Sequence, residues 1–237
     1  MAVPAKKIKS AKDKLQDAIV SLGSTLGLNT AFTKFLELMA TALGSKFDPL
    51  NTEDRSKQYE DAMKGLTDEQ IFRFSQMTAL MYLAARENEE DPIDILGDVY
   101  HKLGLNNEWN GQFFTPDPIA RMMAMMVNPV SNSDSFKDYI TTGEPACGSG
   151  TMIIGAAWAM IQNGVDYRKK SIFIAQDIDI RCVWMAYIQL TLYRIPAIII
   201  HGNSLTMEEW SYWYTPYATP YLLDHMKQQG DETEVAG

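Results

Sequence analysis

The chain has 237 residues, 46% of them hydrophobic and 22% charged, a balance that suits a globular protein and excludes a fibrous or disordered one. No apolar run reaches the roughly 20 residues that cross a bilayer, and the first 15 residues carry five lysines where a signal peptide would be apolar, so a cytoplasmic location is expected. A formal net charge of −9 argues against a protein that grips duplex DNA unaided, so any DNA contact is expected to need a partner subunit or a second copy.

Residues 1 to about 105 read as an α-helical N-terminal domain. Lys6, Lys7, Lys9, Lys12 and Lys14 lie along its first helix, as a solvated face or as a nucleic-acid arm. Ile8, Leu15, Ile19 and Leu22 recur at helical spacing, and so do Phe32, Leu36, Met39 and Leu43. A further helix opens at Thr67, with Gln70 completing a capping box and Leu66 placed to staple against Ile71. Ile71, Phe74, Leu80 and Met81 carry it to about Arg86. The methionines and aromatics of these helices read as core. Glu87 to Asp91 forms an acidic linker, and Asp91-Pro92 predicts a new helix with Pro92 at its first position.

A second domain is expected over residues 106–237. Thr115-Pro116 resembles a cap, and Ile119, Met122, Met123 and Met126 form one helical stripe. Short apolar strands then alternate with helices. Asp138 to Thr142 reads as a strand, Thr151 to Gln162 as a buried helix, and Ser171 to Ala175 as a strand. Arg181 to Tyr193 reads as a helix and Ala197 to His201 as a strand. This alternation predicts parallel pairing through right-handed crossovers, a Rossmann-like partial parallel sheet in an α/β protein.

The first strand runs into Glu144-Pro145-Ala146-Cys147-Gly148-Ser149-Gly150. Glycines there let a backbone approach a ligand, and the following helix offers free N–H groups. Glu144 at the strand end would repel a phosphate but suits a cation, such as the amino group and sulfonium of S-adenosylmethionine (SAM). Asp177 follows the second strand and can take both ribose hydroxyls, or cap a helix. Ile178 is placed for an adenine face or for the core. Asn203, in His201-Gly202-Asn203-Ser204-Leu205, can meet an adenine edge or simply form a turn.

Taken in order, these segments resemble the adenine-N6 DNA methyltransferases, above all the modification subunit of type I restriction systems. Glu-Pro-Ala-Cys-Gly-Ser-Gly is similar to that family's first motif. Asp94-Ile95-Leu96-Gly97-Asp98-Val99-Tyr100 and Gly111-Gln112-Phe113-Phe114-Thr115-Pro116 resemble the segment leading into it. The resemblance spans residues 90 to 205 and implies a SAM-dependent methyltransferase fold with SAM as cofactor. It assigns Phe114, Thr115 and Pro116 to the methionine end, with Glu144, Pro145, Ala146, Cys147, Gly148 and Gly150 around the same pocket. Asp177 matches the ribose-binding acid, Ile178 packs on adenine, and Asn203 stands where the family usually has aspartate. The implied function is methyl transfer to adenine N6 of DNA in a restriction-modification or phage-type system.

The family's catalytic Asn-Pro-Pro-Phe stretch is not found after Leu205. Holding the adenine amine needs a polar side chain and a carbonyl, with an aromatic ring on the flipped base. Tyr214-Thr215-Pro216-Tyr217 does not offer that set. About 32 residues follow Leu205, too few for the rest of such a sheet at roughly 30 residues per crossover unit. The sequence therefore leaves two readings, a methyltransferase whose target-base half comes from elsewhere, or a SAM-binding regulatory module without catalysis. A plain nucleotide-binding protein is disfavoured by Glu144. Three strands would leave the first as an open edge; the aromatic run Trp210 to Tyr221 is expected to cover it, to dock a partner, to pack on the domain body, or to stack on a base in a target pocket. No histidine is spaced with Cys147 or Cys182 for a metal site, and Cys147, although it begins near a helix N-terminus, has no histidine partner for nucleophilic chemistry.

Overall fold

Ser10 and Thr67 each open a helix through a capping box. Ser10 Oγ accepts the Asp13 N–H at 3.2 Å, and Asp13 accepts the Ser10 N–H at 3.3 Å. Thr67 and Gln70 form the predicted box, at 3.3 and 2.9 Å. The computed structural model describes residues 9–105, 114–127 and 139–223. The helices so capped are α1 (Ala11–Leu26) and α4 (Asp68–Glu87), and between them lie α2 (Leu28–Phe47) and α3 (Thr52–Met63). Helix α2 carries the apolar spine, burying Phe32, Phe35, Leu36, Met39 and Leu43. Helix α3 has no apolar stripe to betray it, since only Arg55 and Ala62 are buried. Of the lysine row, Lys9 pairs with Asp17 and Lys12 with Asp98, the behaviour of a solvated face; Lys6, Lys7 and Ile8 lie outside the described residues.

The helix expected at Pro92 starts later. Helix α5 spans Ile95–Lys102, and its cap is Asp94, which accepts the Gly97 N–H at 2.8 Å. A carboxylate can satisfy a first-turn donor and a proline ring cannot, so the cap sets the start. Helix α6 (Asp117–Val127) begins just past Pro116, whose carbonyl takes the Ile119 and Ala120 N–H groups. Its Ala120 and Ala124 are buried, while Ile119, Met122, Met123 and Met126 are exposed.

The remaining elements are β1 (Ile140–Glu144), α7 (Thr151–Gln162), a short α8 (Tyr167–Lys170), β2 (Ser171–Asp177), α9 (Ile180–Leu192), β3 (Ala197–Asn203) and β4 (Glu208–Tyr214). They form one four-stranded sheet in the order β1-β2-β3-β4. The first three strands are parallel, as the alternating pattern predicted. β1 sits two residues later than expected, so that Glu144 closes it; Asp138 lies outside the described residues. The correction is β4. The aromatic run forms an antiparallel strand on the outer edge of β3, and β1 keeps its other edge free of any partner among the described residues. Tyr214 opposite Ile198 and Tyr212 opposite Ile200 are aromatic on β-branched pairs, a favourable cross-strand combination. Gly202 makes the return possible, because a Cβ there would sit 2.2 Å from the Glu208 carbonyl.

Strand β4 is also welded to the helices. The Arg55 guanidinium lies 3.5 Å above the Trp213 ring, donates to the Tyr212 carbonyl, and sits 3.6 Å from the Asp48 carboxylate. Asp48 is fully buried and also accepts the Asn51 and Tyr214 N–H groups. Burial lowers the Arg55 pKa, and Asp48 opposes that shift. Arg55→Ala would strand a buried carboxylate, at a cost of about 3–5 kcal/mol. Urea denaturation should show that loss, with Arg55→Lys restoring less than half because an ammonium cannot stack as a guanidinium does. A loss under about 1 kcal/mol would mean the weld contributes little.

One hydrophobic cluster runs from Leu15 and Ile19 of α1 through α2, α4, α7 and α9 to Ile199 and Trp213. A smaller one on the sheet joins Ile172, Ala218 and Tyr221, with the Tyr221 ring edge-on to Tyr139 at 4.3 Å. No helix among the described residues is long and apolar enough to cross a membrane.

Candidate cofactor site

The turn between β1 and α7 is held from both sides. Gly148 and Gly150 adopt φ of 54° and 95°, a region that favours glycine, and Gly150 caps α7. The Cys147 N–H bonds the Gln176 carbonyl at 2.9 Å, which ties the loop to β2. Asp177, at the end of β2, accepts the Gly148 N–H at 2.8 Å on one oxygen and the Asp179 N–H at 2.9 Å on the other. Each oxygen keeps lone-pair capacity for a ligand hydroxyl. The helix-cap role belongs to Asp179, which accepts the Arg181 N–H at 2.9 Å. Burial raises the Asp177 pKa, and the N–H groups of Asp179 and Gly148 work against that rise. Cys147 is buried in the loop, and burial pushes its thiol well up, opposite to the acidified state that favours a nucleophilic thiolate.

A cavity of about 740 Å³ opens above this turn. It gathers Phe114, Pro145, Ala146, Gly148, Asp177, Ile178 and Asn203 among its walls, seven of the residues expected from the sequence. Ile178 is 59% exposed there and so is not core. Asn203 does form a turn, accepting the Leu205 N–H at 3.0 Å, while still facing the cavity. Other expected residues stand around it. Cys147 and Gly150 are buried in the loop. Thr115 and Pro116 line an adjoining cavity of about 700 Å³, with Phe114 on the wall of both. Glu144 accepts the Ala146 N–H at 3.2 Å and lines a third space of about 480 Å³, an apolar groove between α6, α7 and β1. Gly111, Gln112 and Phe113 lie outside the described residues. Among those residues no group of three His, Cys, Asp or Glu is placed to hold a metal; His225 lies outside them.

Phe114 sits close over the loop. A Cβ on Gly148 would meet its ring at 2.9 Å, so glycine is required there for the ring to approach. The ring also packs against Tyr100 and His101, at 5.2 and 5.3 Å between centroids.

Sequence reasoning missed what supports the loop from below. Asp94 is buried and takes four donors, Ser149 Oγ and Thr151 Oγ1 on one oxygen, the Gly97 N–H and Gln189 Nε2 on the other. Gln189 in turn donates to the Ser149 carbonyl at 2.8 Å and accepts the Ile95 and Leu96 N–H groups. One buried carboxylate thus joins α5, α9 and the glycine turn. Gly97 leaves room for it, since a Cβ there would lie 2.0 Å from Asp94 Oδ2. The only local signal is the Asp-x-x-Gly spacing of a cap.

A glycine turn at a helix N-terminus, an acid at the next parallel strand end and an amide at the third thus stand around one cavity of an α/β fold. The family model for N-6 DNA methylases matches residues 91–226, and the chain belongs to that family. Two solved structures are similar at low identity. One is a candidate class I S-adenosylmethionine-dependent methyltransferase from Listeria monocytogenes, 16% identical, with a TM-score of 0.40 over 82% of this chain and 54% of that one. The other is the methyltransferase subunit of a type I restriction-modification system from Streptococcus thermophilus, 15% identical, with a TM-score of 0.43 over 85% and 59%. The chain therefore spans little more than half the length of these structures. No curated protein matches it.

Proposed function

We propose that this chain is the SAM-binding part of an adenine-N6 DNA methyltransferase of a restriction-modification or phage-type system, acting in the cytoplasm on DNA together with a further protein subunit or segment. The observation that carries the reading is the single cavity bounded by the glycine turn, Asp177, Ile178 and Asn203 in a member of the N-6 DNA methylase family. The residues fit the cofactor. Asp177 is a half-buried acceptor for a ribose diol, Ile178 an unspent apolar face for adenine, and Gly148 and Gly150 give close backbone approach. Phe114 walls the cavity and Thr115 and Pro116 line the space adjoining it, which supports assigning the methionine end to that side; Glu144 lines the separate groove beside β1. Bound SAM supplies an electrophilic methyl group; the residues here orient it and exclude water.

The target-base half is assigned to another segment or subunit because the edge of β1, free of a partner among the described residues, borders an apolar groove and the exposed methionines of α6. Such an edge is usually paired or covered. A second reading, SAM binding without catalysis, is favoured by Thr215. It is buried, accepts the Ala197 N–H and donates to the Ile195 carbonyl, both at 2.9 Å, so it is not free to hold a substrate amine.

Calorimetric titration with SAM tests the shared claim, and saturable one-to-one binding that S-adenosylhomocysteine competes away is expected; absence of binding would sink it. Transfer of radiolabelled methyl to adenine-containing DNA then separates the readings. Transfer by the chain alone would defeat the second, and none in the presence of a subunit bearing Asn-Pro-Pro-Phe would defeat the first.

A further inference from the structure

Asn203 stands at the end of β3, two residues past His201, which is the register partner of Asp177. It is therefore farther from the glycine turn than the acid that suits a ribose. The turn after it settles which way its amide faces. One side-chain atom takes the Leu205 N–H at 3.0 Å and the Thr206 N–H at 3.4 Å. An atom that accepts two N–H groups is the oxygen, because an amide nitrogen only donates. The NH₂ group is left as the polar end, and it has no acceptor among the described residues. The residue lines the cavity. Ile178 and Leu205 line it as well, 59% and 93% exposed, two aliphatic side chains left for a flat ring to cover.

Resting on the SAM reading above, we infer that Asn203 makes this site read a ring acceptor of the cofactor's base, N1 of adenine, and not its exocyclic amine. Adenine offers both on the edge remote from the ribose, N1 as acceptor and the 6-amino group as donor. With its oxygen committed to the turn, Asn203 has only a donor to present, and N1 is the group that meets it. An aspartate in the same turn would keep one oxygen on the backbone and present the other, which accepts from the amine. A single residue thereby sets which analogue of the cofactor is tolerated.

The test is calorimetry on the full chain and on Asn203→Asp, with S-adenosylhomocysteine, its 1-deaza analogue and its 6-deamino (purine riboside) analogue. The unaltered chain is expected to lose about tenfold in affinity with the 1-deaza compound, one hydrogen bond, and less than about threefold with the 6-deamino compound. Asn203→Asp should reverse the pattern. If that variant does not fold, the two analogues on the unaltered chain decide alone. A tenfold loss on the 6-deamino compound with none on the 1-deaza compound overturns the inference, as do equal losses or no loss with both. Each of those results leaves the cofactor reading standing. Failure of S-adenosylhomocysteine itself to bind overturns that reading and this inference with it.

Discussion

An Asp94→Ala protein is expected to be about 3–5 kcal/mol less stable than the unaltered chain. The carboxylate is buried and holds four donors from three elements, so its removal leaves Ser149 Oγ, Thr151 Oγ1, Gln189 Nε2 and the Gly97 N–H without it. Each unmet buried donor costs about 1–3 kcal/mol, and the two hydroxyls recover part of that by rotating toward each other at 3.1 Å. Asp94→Asn should fall between, because one amide end still accepts while the other cannot take a hydroxyl proton. Urea denaturation of both variants measures this. A double-mutant cycle with Ser149→Ala should give a coupling above about 0.5 kcal/mol, as expected for residues in one network. Additive losses would show that Asp94 acts on the α5 cap alone. Ser149 sits inside the glycine turn, so on the proposed SAM reading the same variants should weaken SAM binding under conditions where they remain folded.

The contrast between Asp94 and Asp177 shows what a sequence discloses. The positions of Asp177, Ile178 and Asn203 at or just past strand ends are legible because the apolar runs of β2 and β3 announce those ends. The Thr67 box is legible because its partners lie three residues apart. Asp94 looks like an ordinary cap, since Ser149, Thr151 and Gln189 are 55, 57 and 95 residues away and no local pattern links them. Helix α3 escapes for another reason: it packs through Arg55 and Ala62, so hydrophobic periodicity has nothing to register. Strand β4 is hidden by its own composition. Trp210, Tyr212, Trp213 and Tyr214 put aromatics on both faces, and without alternation the strand is set by its pairing with β3. Glu144 shows the limit in the other direction. Its residue type fits a cationic ligand group, while its side chain lines the groove beside β1 and not the main cavity.

Asp177→Ala should weaken SAM binding by about 100-fold or more, since two hydrogen bonds to a charged acceptor are worth roughly 1.5–3 kcal/mol each. Part of the loss comes through the turn, because the Gly148 N–H loses its 2.8 Å acceptor. Asp177→Asn should be milder, keeping one acceptor for Gly148 and offering a donor to the other ribose oxygen. Acidity supplies a check that a merely structural role would not pass. Burial, the dominant cause, places the Asp177 pKa above the ordinary value of 3.8. A protonated carboxyl accepts less well and no longer attracts a sulfonium, so SAM affinity should fall as pH drops through that raised pKa. Stability runs the opposite way. A raised pKa in the folded state means that this group's contribution is fully present below the unfolded value and is lost as pH rises through the folded one. Mild acidification should therefore weaken SAM binding in the unaltered chain without Asp177 itself destabilising the fold, and Asp177→Ala should bind SAM weakly with little pH dependence over that interval. Calorimetry across the interval decides it: an unaltered chain whose affinity stays flat, or an alanine variant that keeps the parent's slope, would remove Asp177 from the cofactor's contacts.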